Sequence, residues 1–198
     1  MIHTVILIMA AGSASRMGKT KQLLPYKNTT LLEHAIEQAQ KSVVKNVYCV
    51  LGANKETIQE KIKHHPIEII YNPNYKNGLS TSIAKGIEYI QEKNFDTVLI
   101  MLADQPHVTF EYLNSLIEIS EKNPLKIIAS KYQHTVGVPA IFPKKYFHNL
   151  MNLKGDKGAK SFLESPTAEI IKTTISNNLV DIDTPEDYKN LLENPRLY

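Results

Sequence analysis

The chain has 198 residues, enough for one domain with a sizeable core, and its 42% hydrophobic and 22% charged residues exclude a disordered or fibrous protein. A formal charge of +3, with lysines scattered rather than gathered in blocks, argues against a nucleic-acid partner and suits small polyanionic substrates. The single cysteine, Cys49, lies in the apolar run 47–51, which leaves neither a disulfide framework nor a cysteine metal site and fits a reducing cytoplasm.

The opening run MIHTVILIMAAG reads as a buried first strand rather than a signal sequence, because it is short, lacks a basic leader and flows into a glycine loop. No stretch approaches the roughly 18 apolar residues of a membrane span. Strands are predicted at 4–9, 46–51, 67–71, 97–102, 126–130, 138–142, 169–174 and 179–182, and helices at 31–41, 55–64, 80–92, 110–121 and 185–192. Continuous β-branched strands alternating with amphipathic helices predict an α/β protein, a three-layer, mostly parallel Rossmann-like sheet with helices on both faces. One domain spans 1–198. Alternation is regular over about 1–130, and the glycine- and proline-rich part over about 131–180 is read as a lobe for a second substrate.

Six of the eight glycines fall in loops beside strand ends or helix starts, where open parallel sheets bind ligands. The first loop reads Ala10-Ala11-Gly12-Ser13-Ala14-Ser15-Arg16-Met17-Gly18-Lys19-Thr20-Lys21-Gln22-Leu23-Leu24-Pro25. Its small residues let backbone N–H groups approach phosphates, and Arg16 and Lys21 can neutralise a triphosphate. It is neither a Walker A loop nor G-x-G-x-x-G, so kinase and dinucleotide readings weaken.

Next comes Asn72-Pro73-Asn74-Tyr75-Lys76-Asn77-Gly78-Leu79-Ser80-Thr81-Ser82, a turn feeding a helix, whose hydroxyls and N–H groups can read a base edge. Ser80 fits a plain N-cap equally well. Asp104, in Leu102-Ala103-Asp104-Gln105-Pro106, ends a buried strand; there a carboxylate either ligates Mg²⁺ or starts a turn. Gly137-Val138-Pro139-Ala140 and Gly155-Asp156-Lys157-Gly158-Ala159-Lys160 either face a second substrate or merely turn the chain. In Asp181-Ile182-Asp183-Thr184-Pro185-Glu186-Asp187, alternation along a strand puts Asp181 and Asp183 on one side, as a metal ligand or as flanks of the helix start. The seven histidines show no metal spacing, with His64-His65 read as a helix end.

Taken in order from Ile6 to Asp187, these segments resemble the MobA-like nucleotidyltransferases, and among them the molybdenum cofactor cytidylyltransferase branch. The resemblance implies the nucleotide-diphospho-sugar transferase type of fold, with the first loop around the triphosphate and Lys21 on the phosphates. It also implies base contacts near Gly78, Ser80 and Ser82, with Asn72 as a further contact, and a Mg²⁺ site at Asp104 and Asp183. Arg16, Lys21 and Asp104 are then the catalytic set, and Ala10, Ala11, Gly12 and Ser13 join them around the nucleotide. Gly137, Pro139, Asp156 and Lys160 match the acceptor motifs, with Lys160 where the family has Arg; a cation is kept and bidentate phosphate binding is lost. Ala10-Ala11-Gly12 resembles CTP users, where GTP users carry a second glycine.

The implied reaction is transfer of CMP from CTP to a phosphorylated small molecule such as molybdopterin, with pyrophosphate released and a molybdenum hydroxylase as client. GTP use, a sugar-phosphate or isoprenoid-precursor phosphate acceptor, and a non-catalytic nucleotide-sensing or cofactor-delivery module are the alternatives.

Overall fold

Strand β1 (Thr4–Ala10) is buried at every residue, because its apolar side chains alternate onto two covered faces. Val5, Leu7 and Met9 enter one core and Ile6, Ile8 and Ala10 the other. The structure, a computed structural model, describes residues 2–13, 17–132, 135–156, 158–165, 168–174 and 179–193. Arg16 lies outside these residues.

After β1 a 3-10 turn, Lys21–Leu23, leads into a small hairpin of β2 (Pro25–Tyr26) and β3 (Thr29–Thr30). Then follow α1 (Leu31–Lys41), β4 (Asn46–Leu51), α2 (Lys55–Ile62), β5 (Glu68–Tyr71), α3 (Leu79–Ile90), β6 (Thr97–Leu102) and α4 (Phe110–Lys122). The second half carries β7 (Ile127–Lys131), β8 (Val136–Pro143), two short helices α5 (Phe147–Met151) and α6 (Lys160–Leu163), β9 (Ile170–Thr174) and α7 (Pro185–Glu193).

Seven strands form the main sheet in the order β5-β4-β1-β6-β8-β7-β9, and only β8 runs antiparallel to its neighbours. Leu32 and Ile36 of α1, Ile58 and Ile62 of α2 and Leu113 and Leu116 of α4 cover one face. Ile83 and Ile87 of α3, Phe147 and Leu150 of α5 and Leu163 of α6 cover the other, which makes the three-layer, mostly parallel Rossmann-like architecture the sequence predicts. A third, smaller core joins Leu24, Tyr26 and Leu31 to Ile182 and to Leu191 of α7, so the last helix seats on the hairpin.

Two predicted elements differ. No strand forms at 179–182: Ile182 is fully buried, but in the third core, and its N–H donates to the Asp104 carbonyl (3.0 Å), which lies in a turn rather than in a strand. The apolar pattern there marks burial against the hairpin, not membership of the sheet. Helix α2 stops at Ile62 instead of 64, which leaves His64 and His65 in the turn that follows, close to Glu33 of α1.

Candidate active site

β1 and β6 are parallel neighbours in register, Met9 opposite Leu102, so the chain segments leaving their carboxyl ends lie side by side. The Ala103 N–H reaches back to the Met9 carbonyl (3.1 Å) and fixes the start of the Asp104 turn against the first loop. At this edge opens a cavity of about 520 Å³, walled by Ala10, Ala11, Gly12 and Ser13 on one side and by Gly78, Leu79 and Ser82 on another. Lys21, Asp104 and Asp183 also line it. Its position outside the carboxyl ends of the strands is where open α/β sheets bind ligands.

Buried Gln22 braces the loop: its amide donates to the carbonyls of Ala10 (2.9 Å) and Gly12 (2.8 Å). Sequence reasoning passed over this residue, since a glutamine between a lysine and two leucines carries no pattern of its own. His34 on α1 steadies the neighbouring turn, with Nε2 3.1 Å from the Pro106 carbonyl. Burial, the nearby Lys27 charge and further like charges push the His34 imidazole down to about 4, so it is neutral at pH 7 and donates.

Lys21 stands on the 3-10 turn with its ammonium between two carboxylates, 2.5 Å from Asp104 Oδ2 and 3.0 Å from Asp183 Oδ1. Burial alone would lower its pKa; the charges and hydrogen bonds of Asp104 and Asp183 outweigh that and hold it above the usual lysine value. Residues 83 and 162 positions apart in sequence thus meet at one point. Asp183 is not a helix cap, because Thr184 and Asp187 cap α7 between themselves: the Asp187 N–H donates to Thr184 Oγ1 (3.1 Å) and the Thr184 N–H to Asp187 Oδ2 (2.7 Å). The other oxygen of Asp104, Oδ1, is buried with no hydrogen-bond partner, an acceptor that a hard cation would satisfy.

The turn before α3 departs from the role its hydroxyls suggest. Ser82 and Gly78 line the cavity, but Asn72 and Ser80 do not. Asn72 is 1% exposed, donates to Thr81 Oγ1 (3.0 Å) and Ser82 Oγ (2.9 Å) and accepts from the Asn74 N–H (2.9 Å), so it braces the turn from behind. Ser80, fully buried, spends its hydroxyl on the Gly155 carbonyl (2.6 Å) and so ties this turn to the Gly155-Asp156 loop. Both side chains hold the turn. Gly78 has φ +100°, and a Cβ there would stand 2.7 Å from the Gly155 carbonyl, so glycine is required for the two loops to meet. Gly52, which the sequence did not single out, allows an equally close approach of the first loop and Tyr75, since a Cβ would lie 2.7 Å from the Ala11 carbonyl.

A second cavity of about 240 Å³ adjoins the first, sharing Leu79 and Leu102 with it, and is lined further by Gly137, Val138, Lys160 and Asp181. Of the residues matched to acceptor motifs, Gly137 and Lys160 line this space and Asp156 lines the larger one. Pro139 is buried within β8 and takes the Ser130 hydroxyl on its carbonyl, so it shapes the strand rather than facing either cavity. Gln105, 2% exposed, knits the boundary: its amide donates to Tyr132 Oη (2.8 Å), the Val138 carbonyl (3.2 Å) and Asp181 Oδ1 (2.8 Å). Desolvation and the Asp104 charge raise the pKa of Asp181.

The MobA-like NTP transferase domain model matches residues 6–170. Purine catabolism protein PucB of Bacillus subtilis is 27% identical over 94% of this chain and 94% of its own length. Nicotine blue oxidoreductase of Paenarthrobacter nicotinovorans is 27% identical over 94% and 95%. Among solved structures, Rv0371c of Mycobacterium tuberculosis is 25% identical with a TM-score of 0.88, covering 97% of this chain and 98% of that one. A second crystal structure of that protein, in complex with manganese, aligns with a TM-score of 0.83 at 24% identity over 96% and 98%. With the family model covering most of the sequence, and a sheet edge, first loop and cavity in place, the chain belongs to the MobA-like NTP transferase family of nucleotidyltransferases.

Proposed function

We propose that this protein transfers CMP from CTP to a phosphorylated small molecule of the molybdopterin type, releasing pyrophosphate, with Mg²⁺ as its metal. The observation that carries the reading is the meeting of Lys21, Asp104 and Asp183 on the cavity that Ala10, Ala11, Gly12 and Ser13 wall. Two carboxylates from separate parts of the chain converge there, and the partnerless Oδ1 of Asp104 fits a hard cation. Asp104 and Asp183 would hold the metal, which would supply positive charge to the phosphates of the bound triphosphate. That Rv0371c was crystallised in complex with manganese favours a divalent ion as the metal here.

In this reading Lys21 exchanges its carboxylate partners for phosphate oxygens and opposes the charge that develops on the leaving pyrophosphate. Backbone donors of the first loop, whose start Gln22 braces at Ala10 and Gly12, would face the triphosphate, and Arg16 would add charge. The acceptor phosphate, already ionised, attacks the α-phosphorus in line and needs no general base. Catalysis then comes from positioning and charge. The part over about 1–130 binds the nucleotide, and the part over about 131–180, with Gly137 and Lys160 at the second cavity, binds the acceptor. Two adjoining cavities suit two substrates that must meet.

Ala11, at the cavity wall, carries a methyl group where a second glycine would leave room, which favours a pyrimidine base. The relative named for purine catabolism is compatible with a client hydroxylase of the xanthine dehydrogenase kind. Among the described residues no helix is long and apolar enough to cross a membrane, and we assign the protein to the cytoplasm. Pyrophosphate release should be measured with each NTP against molybdopterin, sugar phosphates and isoprenoid-precursor phosphates, with a nicotinamide-oxidation arm because one relative is named an oxidoreductase. CTP- and molybdopterin-dependent release is expected; release with GTP or another acceptor would reassign the substrate, and none with any pair would overturn the transferase reading.

A further inference from the structure

Away from the two cavities, three metal-ligating side chains meet that no motif in the sequence connects. Glu33 lies in the first turn of α1 and His64 and His65 in the turn after α2, yet one ligand atom of each lies within 4.8 Å of the other two. None of the three lines the active-site cavities.

Glu33 is 4% exposed. Its Oε2 completes the helix cap by accepting from the Thr30 N–H (3.2 Å) and hydroxyl (2.8 Å), which leaves Oε1 facing His64 Nε2 at 3.7 Å. Two ligands held at 2.1 Å in a tetrahedral shell stand about 3.4 Å apart, so this pair is already near chelating distance. The His65 ring packs on that of His64 with centroids 4.2 Å apart. Its Nδ1 lies 3.4 Å from Gln40 Oε1, an acceptor that favours the Nδ1–H tautomer and leaves the lone pair on Nε2. That Nε2 is buried and has no hydrogen-bond partner. An imidazole with one nitrogen held by an amide and the other buried and orphaned has the arrangement of a histidine ligand.

We propose that Glu33, His64 and His65 bind a divalent transition ion of the zinc class and so clamp the start of α1 to the turn between α2 and β5. Two imidazoles and one carboxylate are the donor set of a borderline ion that keeps an open position for water, and they are too nitrogen-rich for Mg²⁺. His64 is the exposed member and closes onto the ion. Lys61, whose charge also acts on Glu33, is exposed and turns to solvent when the ion enters.

The test uses chelator-treated, tag-free full-length protein, titrated calorimetrically with ZnCl₂ and then with CoCl₂, whose absorption spectrum reports tetrahedral nitrogen and oxygen ligation. The parent should bind Zn²⁺ saturably and unfold at a higher temperature with it. Glu33→Gln risks the helix cap, so the decisive variants are His64→Gln, on an exposed side chain, and His65→Gln. Each should weaken Zn²⁺ binding at least about tenfold, and Gln40→Leu should weaken it about 10- to 100-fold while removing no ligand. Asp183→Asn should keep the Zn²⁺ binding that the histidine variants lose. Absence of saturable binding by the parent, binding unchanged in both histidine variants, or binding lost in Asp183→Asn but kept in His64→Gln would each overturn the proposal.

Discussion

The loop after β1 hangs from a strand that is buried along its whole length and paired on both edges, while the residues around the smaller cavity hang from antiparallel β8 and a four-residue helix. One side is set by sheet backbone: the Met9 and Ala11 carbonyls take N–H groups from Ala103 and Ala53 at 3.1 Å, which ties the start of the loop to the sheet. The other is set by side chains reaching across, as Gln105 does to Tyr132 and Asp181 and Thr135 Oγ1 to Glu164 Oε1 (3.0 Å). A wall made of backbone keeps its shape whatever side chains it carries, which suits the part of a site that does chemistry. One made of side-chain ties is reshaped by single substitutions, which suits the part that chooses a substrate.

That contrast predicts large losses of turnover on the first side and modest losses of affinity on the second. Lys21→Ala removes the cation shared by Asp104 and Asp183 and should lower kcat/KM by about 10²- to 10³-fold, read from pyrophosphate release. A near-normal value would separate the first loop from the chemistry.

Asp104→Asn and Asp183→Asn should each raise the Mg²⁺ concentration needed for half-maximal rate. The Asp104 change should cost more, roughly 100-fold against roughly tenfold, because its side chain is 18% exposed and that of Asp183 42%. Equal and unchanged Mg²⁺ dependence in both would remove the metal from this edge.

His34 tests whether the Pro106 turn depends on the neutral imidazole. Its folded pKa is about 4 against 6.5 for the free group, so the unfolded chain takes up the proton first as the pH falls. Stability is therefore whole above pH 6.5 and declines toward pH 4, by about 2 kcal/mol at pH 5. Denaturant unfolding of His34→Gln should show a flatter pH dependence over that window than the parent.

Lys160→Ala should have the smallest effect. The side chain is about half exposed, with Glu164 3.9 Å away, so its loss should raise KM for the acceptor less than about tenfold and leave KM for the nucleotide alone. A kcat loss as large as that of Lys21→Ala would erase the distinction between the two sides.

Much of this was legible in the sequence, for local reasons. β4 and β6 and helix α1 fall where β-branched runs and helical spacing place them, and α7 starts at Pro185 behind Thr184, because these patterns follow from how each segment alternates between buried and exposed positions. The same logic misread 179–182, since an apolar residue is equally buried by a sheet or by a hairpin, and Ile182 chose the hairpin. At Asn72 and Ser80 the sequence left the partner open, because a hydroxyl or amide in a turn offers the same groups to a base as to neighbouring backbone and side chains, and here they bond within the protein.

The sequence by itself determined the layers, the order of most strands and helices, and the loops that end at one edge of the sheet, because these depend on neighbours within a few residues. Only the tertiary structure decided that Lys21 sits between Asp104 and Asp183, that Gln22 and Gln105 brace the two sides, and that Glu33 faces His64 and His65. Those contacts join residues 10 to 162 positions apart, and which distant side chain fills a given space follows from how the elements pack, a distance no spacing along the chain records.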